Sequence, residues 1–347
     1  MSTPKLEFIN YLDNDWQIFA ARQEQANIFH HPAWSQLMQE CYGYRPFIAA
    51  LRDANGKIYA GLPMMEIKGM FTHHRWVSMP FSDHCSPLYC DSVWAEKLTG
   101  ALIAQAQKPG VPQIVLRWGQ PAAQSEIPPS AEYILHTIQL DKSLEKAAGQ
   151  IHHSHLRNVK TAQTHGVQIK FGRSLEDMQA FYALHLQTRH RQGVPIQPYH
   201  YFKLLHKLLI DQGLGFVLLA YKNGQCLAGA VFLHWNHTLT YKYGASKPDG
   251  LPLRPNHLIF WNAIQWGCEN EYRLLDLGRS DPENSGLRKF KNLWGGQEIP
   301  LSYQNFPKPI VHLRAGKILK TIIQTFIQKT PVEICKFGGV IYYKYLA

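Results

Sequence analysis

Between Asp276 and Gly296 the chain gathers groups able to do chemistry: Arg279 at the exit of an apolar strand pattern, then Lys289, Phe290, Lys291 and Trp294 within six positions after a turn-rich loop. Basic and aromatic groups thus converge where a site could sit. The same residues would also serve as a strand, a loop and a solvated basic helix start.

Other candidates are spread along the chain. Tyr241 and Tyr243 alternate with Lys242 on a predicted strand, so both should point to one face, where a hydroxyl could bind substrate or close the sheet edge. Arg157 and Lys160 share a predicted helix face with His153 and could meet an anion or solvent. His73-His74, His84-Cys85 and His152-His153-Ser154-His155 lack metal-ligand spacing, so no metal is expected. A Gly-x-Ser-x-Gly nucleophile motif is missing, which argues against a covalent acyl-enzyme. Six cysteines without a Cys-x-x-Cys pair suit reduced thiols.

The elements that must position these groups follow from periodicity. A strand at 6–11 precedes helical periodicity over 16–41, with Pro32 near the start of a second helix. Residues 47–52 and 58–67, joined by Asp-Ala-Asn-Gly, read as a hairpin, followed by a strand at 75–79, a helix at 92–107 and a strand at 113–118. The proline-containing stretch 120–130 reads as a connection. Beyond it come a strand at 134–140, helices at 144–165, 174–192 and 198–212, and a second hairpin at 216–221 and 226–235. A strand at 238–243, a helix at 256–269 and a strand at 273–277 complete the pattern. Asn55-Gly56 superimposes on Asn223-Gly224 and Ala60-Gly61 on Ala228-Gly229 at one offset of 168 positions. The chain therefore reads as a tandem duplication of an α/β unit with a mixed sheet. The stretch that opens this section lies in the second copy, and the first copy shows no counterpart to it after Trp118.

A chain of 347 residues is long enough for two cores, and its charged fraction of 18% with 12% aromatics excludes a disordered protein. The net charge of +11 points to an anionic partner: a phosphorylated substrate, nucleic acid or an anionic membrane. From Phe306 on, seven lysines and arginines face Glu333 alone, so this tail holds six of the eleven excess charges. Ile318, Leu319, Ile322, Ile323, Phe326 and Ile327 form an apolar helical stripe, and Thr330-Pro331-Val332-Glu333 signals a second helix start. Such a basic amphipathic pair can dock on a membrane surface or on the protein. No run of about 18 apolar residues occurs, and the first residues lack a secretory pattern, so a cytoplasmic protein is expected.

The duplicated unit, Gly-Arg-Ser at 278–280, Phe-Lys-x-x-Trp-Gly at 290–295 and the Leu-Arg…Gly-Val pattern of 156–167 together resemble the FemAB-like branch of the GNAT acyltransferase superfamily over roughly residues 5–305. That branch includes peptidoglycan-bridge aminoacyltransferases and relatives from exopolysaccharide gene clusters, whose basic extension the ending Phe337-Gly338-Gly339 through Tyr343 also resembles. The resemblance implies an α/β (α+β) protein. It would have two tandem GNAT-like domains (1–130 and 131–305), each a mixed, mostly antiparallel sheet flanked by helices, and a helical tail (306–347). It implies an N-acyltransferase that moves an acyl or aminoacyl group from acyl-CoA or aminoacyl-tRNA to an amine of a cell-envelope saccharide or its lipid-linked precursor. Lys291 matches the family's lysine and would stabilise a phosphate or the developing oxyanion. Arg279 matches the arginine of Gly-Arg-Ser and would fork onto an anionic group, or else pair with Asp276 or Asp281. Met79-Pro80-Phe81-Ser82-Asp83 resembles a recurrent family segment in which Asp83 would take a proton, position an amine or cap a turn. Asn256 stands where GNAT enzymes bind the donor's pyrophosphate, but the usual Gln/Arg-x-x-Gly-x-Gly/Ala loop is absent, leaving the donor open. Two other readings are a non-catalytic saccharide-binding or assembly factor at the membrane, peripherally attached, and an RNA-binding protein, tRNA included.

Overall fold

The computed structural model describes residues 3–68, 74–118, 129–307, 324–332 and 335. The first half runs β1 (Lys5–Ile9), α1 (Asn14–Ala21), α2 (Pro32–Tyr42), β2 (Arg45–Arg52), β3 (Ile58–Ile67), β4 (Arg75–Val77), β5 (Leu88–Tyr89), α3 (Ser92–Ala106) and β6 (Gln113–Trp118). The second runs β7 (Ala131–Gln139), α4 (Leu144–Gly149), α5 (His153–Thr164), β8 (Gln168–Gly172), α6 (Leu175–Gln192), α7 (Tyr199–Leu205), β9 (Gly215–Lys222), β10 (Gln225–Trp235), β11 (Thr238–Ser246), α8 (Pro255–Glu269), β12 (Leu274–Ser280), α9 (Ser285–Asn292) and β13 (Gln297–Phe306). Local chemistry sets many of these boundaries. Pro32 opens α2 and Gly43 closes it in the left-handed region, Asp91 caps α3, and Ser174 with Asp177 forms a capping box on α6.

The duplication is visible in the sheet. Its strand order is β1-β2-β3-β4-β6-β13-β7-β12-β11-β10-β9-β8, so the two copies run inward from opposite edges. In each copy one neighbouring pair is parallel, β4 with β6 and β11 with β12, and each is paired over three residues before the strands part. The strands that follow are exchanged. β7 pairs with β12 of the second copy, whereas β13 pairs with β6 of the first, and β7 and β13 pair with each other at the centre. The first copy thus has a counterpart to β13 after Trp118, in β7. Residues 119–128, which hold most of the expected connection, lie outside the described residues.

The exchange binds the halves through one core. Leu62, Ile114 and Leu116 of the first copy share a cluster with Phe181, Tyr201, Leu219 and Val231 of the second, while Leu218, Phe232, Ile264 and Trp294 form a separate cluster under α8. Burial of this kind stabilises by roughly 25 cal/mol per Å² of apolar surface.

Three strands were not anticipated. β5 is a two-residue strand paired with β3, β8 is a short edge strand, and β13 contains Pro300, which argues against a sheet interior. At Pro300 the strand is paired only with β7, because pairing with β6 begins at Ser302, so the missing N–H is tolerated. The helix expected over 144–165 divides into α4 and α5. His152 caps α5 from extended backbone, and its N–H donates to Leu293 O at 2.9 Å, so a tertiary contact breaks the helix. α7 continues into a π-helical turn over His206–Ile210.

Of the tail stripe, Ile318, Leu319, Ile322 and Ile323 lie outside the described residues. Residues 324–329 are helical and lie on the C-terminal end of α6, where Gln324 Nε2 donates to Gln192 O at 3.2 Å and Gln328 Nε2 to Arg191 O at 2.9 Å. Ile327 is buried there and Phe326 exposed.

Candidate active site

The parallel pair β11/β12 parts after Thr240 and Asp276, and a first-half loop enters the opening. That loop, 79–85, carries two non-glycine residues in the left-handed region, Met79 (φ 50°) and Phe81 (φ 59°), a strained path sustained by its contacts. Lys242 Nζ, on β11, donates to Phe81 O at 2.5 Å. His84 Nε2 donates to Asp276 Oδ2 at 3.0 Å, and Tyr303 Oη, on β13, donates to Asp83 O at 2.5 Å. Gly278 lies under the Asp83 carboxylate at φ 71°, where any Cβ would meet Asp83 Oδ2.

Lys291 is held from below. Asn284 caps α9, Arg288 forks onto Glu298 of β13 with contacts of 2.9 and 2.7 Å, and Trp294 is wholly buried in the core under α8. Its Nζ, itself buried, donates to Gly278 O at 2.8 Å and Arg279 O at 3.1 Å. Burial lowers the Lys291 ammonium from 10.5 to about 8, with the Asp83 and Asp276 charges acting in the opposite sense. Desolvation pushes Asp276 upward, but the His84 charge and hydrogen bond outweigh it and hold its carboxyl below the usual range. His84 is correspondingly raised despite its own desolvation.

Arg279 pairs with neither Asp276 nor Asp281. Its Nε stands 3.6 Å from Asp83 Oδ1, its Nη1 donates to Tyr303 Oη at 2.6 Å, and its guanidinium lies 4.0 Å from the Tyr133 ring centroid. Side chains of Arg279 and Asp83 keep 33% and 30% of their exposure, so solvent or a ligand reaches them. The structure therefore brings together Asp83, Arg279 and Lys291, from a first-half loop, a second-half strand and the helix after it.

Other residues singled out in the sequence fall elsewhere. Tyr241 and Tyr243 do not share a face: the β10/β11 register shifts between Val231 and Phe232, leaving Lys242 as an extra residue that breaks the alternation. Tyr241 packs on Phe232 and Phe260, whereas the Tyr243 hydroxyl meets Gln197 at 3.0 Å and Tyr201 at 2.9 Å on the opposite side of the sheet. Burial pushes the Tyr241 phenol up to about 12. Asn256 lies in the first turn of α8, which opens from Arg254 in a left-handed conformation. Arg157 and Lys160 are exposed on α5, opposite its buried face of His155, Val159 and Ala162. Lys289 is exposed and, with Arg288, His152 and His153, lines an open depression of about 660 Å³ between α5 and α9. Phe290 is half-buried and its carbonyl accepts from His155 Nε2 at 3.1 Å.

Sequence reasoning missed His84 as a partner of Asp276, Lys242, Tyr303 and Tyr133. Asp276 carried a signal, since a carboxylate inside the apolar run Leu274–Leu277 needs a buried partner. Tyr303 carried none, because its strand was not recognised. No group of three or more metal-ligating side chains occurs among the described residues.

Comparison with known proteins agrees with this architecture. The model of the acetyltransferase (GNAT) domain family matches residues 152–292. The UDP-N-acetylmuramoylpentapeptide-lysine N(6)-alanyltransferase of Weissella viridescens is 24% identical over 131 residues, 37% of this chain and 38% of that protein, so the match spans well under half of the relative's length. The crystal structure of FemX superimposes with a TM-score of 0.65 at 15% identity, covering 92% of this chain and all of that one. A tandem GNAT protein from the clavulanic acid biosynthesis pathway gives 0.52 at 11% identity, covering 87% and 98%. At these identities the structural likeness is one of fold. Two copies of the α/β unit, each with a parting parallel pair, have the fold of these solved structures, and the match to the acetyltransferase (GNAT) domain lies over the second copy.

Proposed function

We propose that this protein is an N-acyltransferase that moves an acyl or aminoacyl group from a thioester or aminoacyl-tRNA ester to an amine of a cell-envelope saccharide precursor. The observation that carries this reading is the meeting of Asp83, Arg279 and Lys291 at the opening between β11 and β12. The free amine attacks the donor carbonyl carbon, forming the C–N bond and a tetrahedral oxyanion. Collapse breaks the C–S or C–O bond, the donor leaves with the electron pair, and the nitrogen's surplus proton passes to the Asp83 carboxylate and from there to the leaving group. Lys291 and Arg279 supply fixed positive charge to the oxyanion or to the donor's phosphate, at no reorganisation cost during reaction.

The relative from Weissella viridescens is named for alanyl transfer to N(6) of a lysine in UDP-N-acetylmuramoylpentapeptide. That name supports an aminoacyl donor and an amine on an envelope precursor for this chain. No helix among the described residues is long and apolar enough to cross a membrane, and we place the protein at the cytoplasmic face, where activated precursors would reach it.

The test is mass spectrometry of products after incubation with mixed acyl-CoA and aminoacyl-tRNA donors and amine-bearing saccharide precursors. A mass increment on the acceptor that vanishes in Lys291→Ala is expected. Saturable saccharide binding with no increment from any donor would replace this reading with that of a non-catalytic binding factor.

A further inference from the structure

Among the contacts that hold the 79–85 loop, the one made by Lys242 has no part in the transfer step. Lys242 is the extra residue of the β11 bulge, between Tyr241 opposite Phe232 and Tyr243 opposite Val231. A bulge of this kind re-aims one side chain out of the strand's alternation. Here the side chain crosses from the second half to the first, where Nζ lies 5.4 Å from the ring centroid of Phe29 and 5.3 Å from that of Trp34 on α2. The ring of Tyr243, next to it on β11, stands at 5.1 Å. Phe29 and Trp34 are wholly buried and meet edge-on at 4.9 Å, so the wall behind the ammonium is fixed.

Lys242 makes no ion pair among the described residues, and its hydrogen-bond acceptor there is Phe81 O, at 2.5 Å. Burial pushes the ammonium below its ordinary range, against the pull of the Asp83 charge. A cation held by three rings and one carbonyl acts as a clamp, and its charge strengthens the hydrogen bond it gives. It grips the loop where the backbone is most strained. Phe81 stands at φ 59° two residues before Asp83, with Met79 at φ 50°, and such conformations persist only where contacts from outside over-determine them. His84 and Tyr303 hold the loop at Asp83 and beyond, whereas Lys242 holds its left-handed entry.

We infer that Lys242 is a positioning residue: its ammonium, seated against Phe29, Trp34 and Tyr243, pins the Phe81 carbonyl and so fixes where Asp83 stands between the two halves. This deepens the proposed function and rests on it for the role of Asp83, while the clamp itself can be read without turnover.

Hydrogen–deuterium exchange of the full chain, followed by mass spectrometry with no substrate present, tests the clamp. Peptides spanning 79–85 report the Ser82 and Cys85 amides, which donate to Met79 O at 3.4 Å and Arg117 O at 2.6 Å. Lys242→Met keeps an apolar stem against the rings and loses the charge and the donor. Exchange in these peptides should then be at least tenfold faster, with peptides of the remote β2–β3 turn unchanged. Lys242→Arg, which keeps charge and donor, should restore the protection. Thermal melting confirms folding, and Lys242→Gln, which keeps a donor without the charge, replaces the methionine variant if that one does not fold. With the donor that proves active, the same neutral variant should lower kcat at least tenfold and leave KM for the donor within twofold, a split that general loss of stability would not produce. Exchange equal to the parent's, faster exchange spread over the whole chain, an arginine variant as fast as the neutral one, or an unchanged kcat in a variant whose loop has loosened overturns the inference. If no donor supports transfer, exchange still decides the clamp; if the parent transfers and loop exchange does not respond, acyl transfer stands and the clamp falls.

Discussion

The two parting strand pairs are built alike and equipped differently. Counting from their last paired residues, Val77/Val115 in the first half and Thr240/Asp276 in the second, Val115 occupies the place of Asp276 and Arg117 that of Gly278. The second half thus offers a buried carboxylate and a glycine, which receive the 79–85 loop through His84 and Asp83. The first half offers a valine and an arginine in the same two places. The same backbone opening accepts a protein loop where the residues are small and acidic, and presents charge where they are bulky and basic. The proposed site therefore belongs to neither copy: one supplies Asp83, and the other supplies Arg279, Lys291 and the space.

The sharpest way to break this comparison is to remove the second half's cation. Lys291→Ala should lower the transfer rate by about 10²–10³-fold, the usual cost of losing one oxyanion-stabilising group, with far-ultraviolet circular dichroism preserved. A retained rate would detach the site from this half. Its pH dependence gives an independent reading. Burial sets Lys291 at about 8 in the folded chain against 10.5 as the ordinary value, so the unfolded chain binds this proton more tightly between those limits. Its contribution to stability should therefore rise with pH from 8 to 10.5, whereas transfer that needs the ammonium should fall through about 8. Rates and urea midpoints measured over the same pH series would show whether the two limbs run in opposite directions.

Giving the second half a side chain at the place of Arg117 is the next test. Gly278→Ala sets a Cβ at φ 71° against Asp83 Oδ2, and should cost about 1–3 kcal/mol in chemical denaturation as well as most of the transfer activity. A variant as stable and active as the parent would mean that the loop does not need this approach. Tyr303→Phe removes the hydroxyl that joins Arg279 to the Asp83 carbonyl, and a loss of about 1 kcal/mol, or roughly fivefold in rate, is expected. The smallest effect belongs to the exposed face of α5. Lys160→Ala should leave stability within about 0.5 kcal/mol and should not alter transfer, unless that face meets the donor, in which case KM for the donor would rise while kcat held.

Local chemistry made much of the fold legible. The Asn-Gly turns, the apolar runs of β2, β3, β9 and β10, and the caps at Pro32, Asp91 and Ser174 each depend on residues close in sequence, and from them the repeated unit could be read. Phe-Lys-x-x-Trp-Gly runs from α9 into the turn after it, where Trp294 is buried in the core and Lys291, three positions earlier, is buried with its Nζ on Gly278 O.

What the amino-acid order could not decide was everything that depends on a partner distant in the chain. The bulge at Lys242, which sends Tyr241 and Tyr243 to opposite faces, exists only in the pairing of β11 with β10. The exchange of β7 and β13 gives Tyr303 neighbours from both copies, across nearly the whole chain. The assignment of Asp83 to Arg279, and of His84 to Asp276, spans close to two hundred residues and requires two strained backbone positions that no local preference favours. Periodicity and turn chemistry act over a few residues and so determined the repeated elements. Charge pairing in a low-dielectric seam acts through space, and only the folded sheet could say which cation would face which carboxylate.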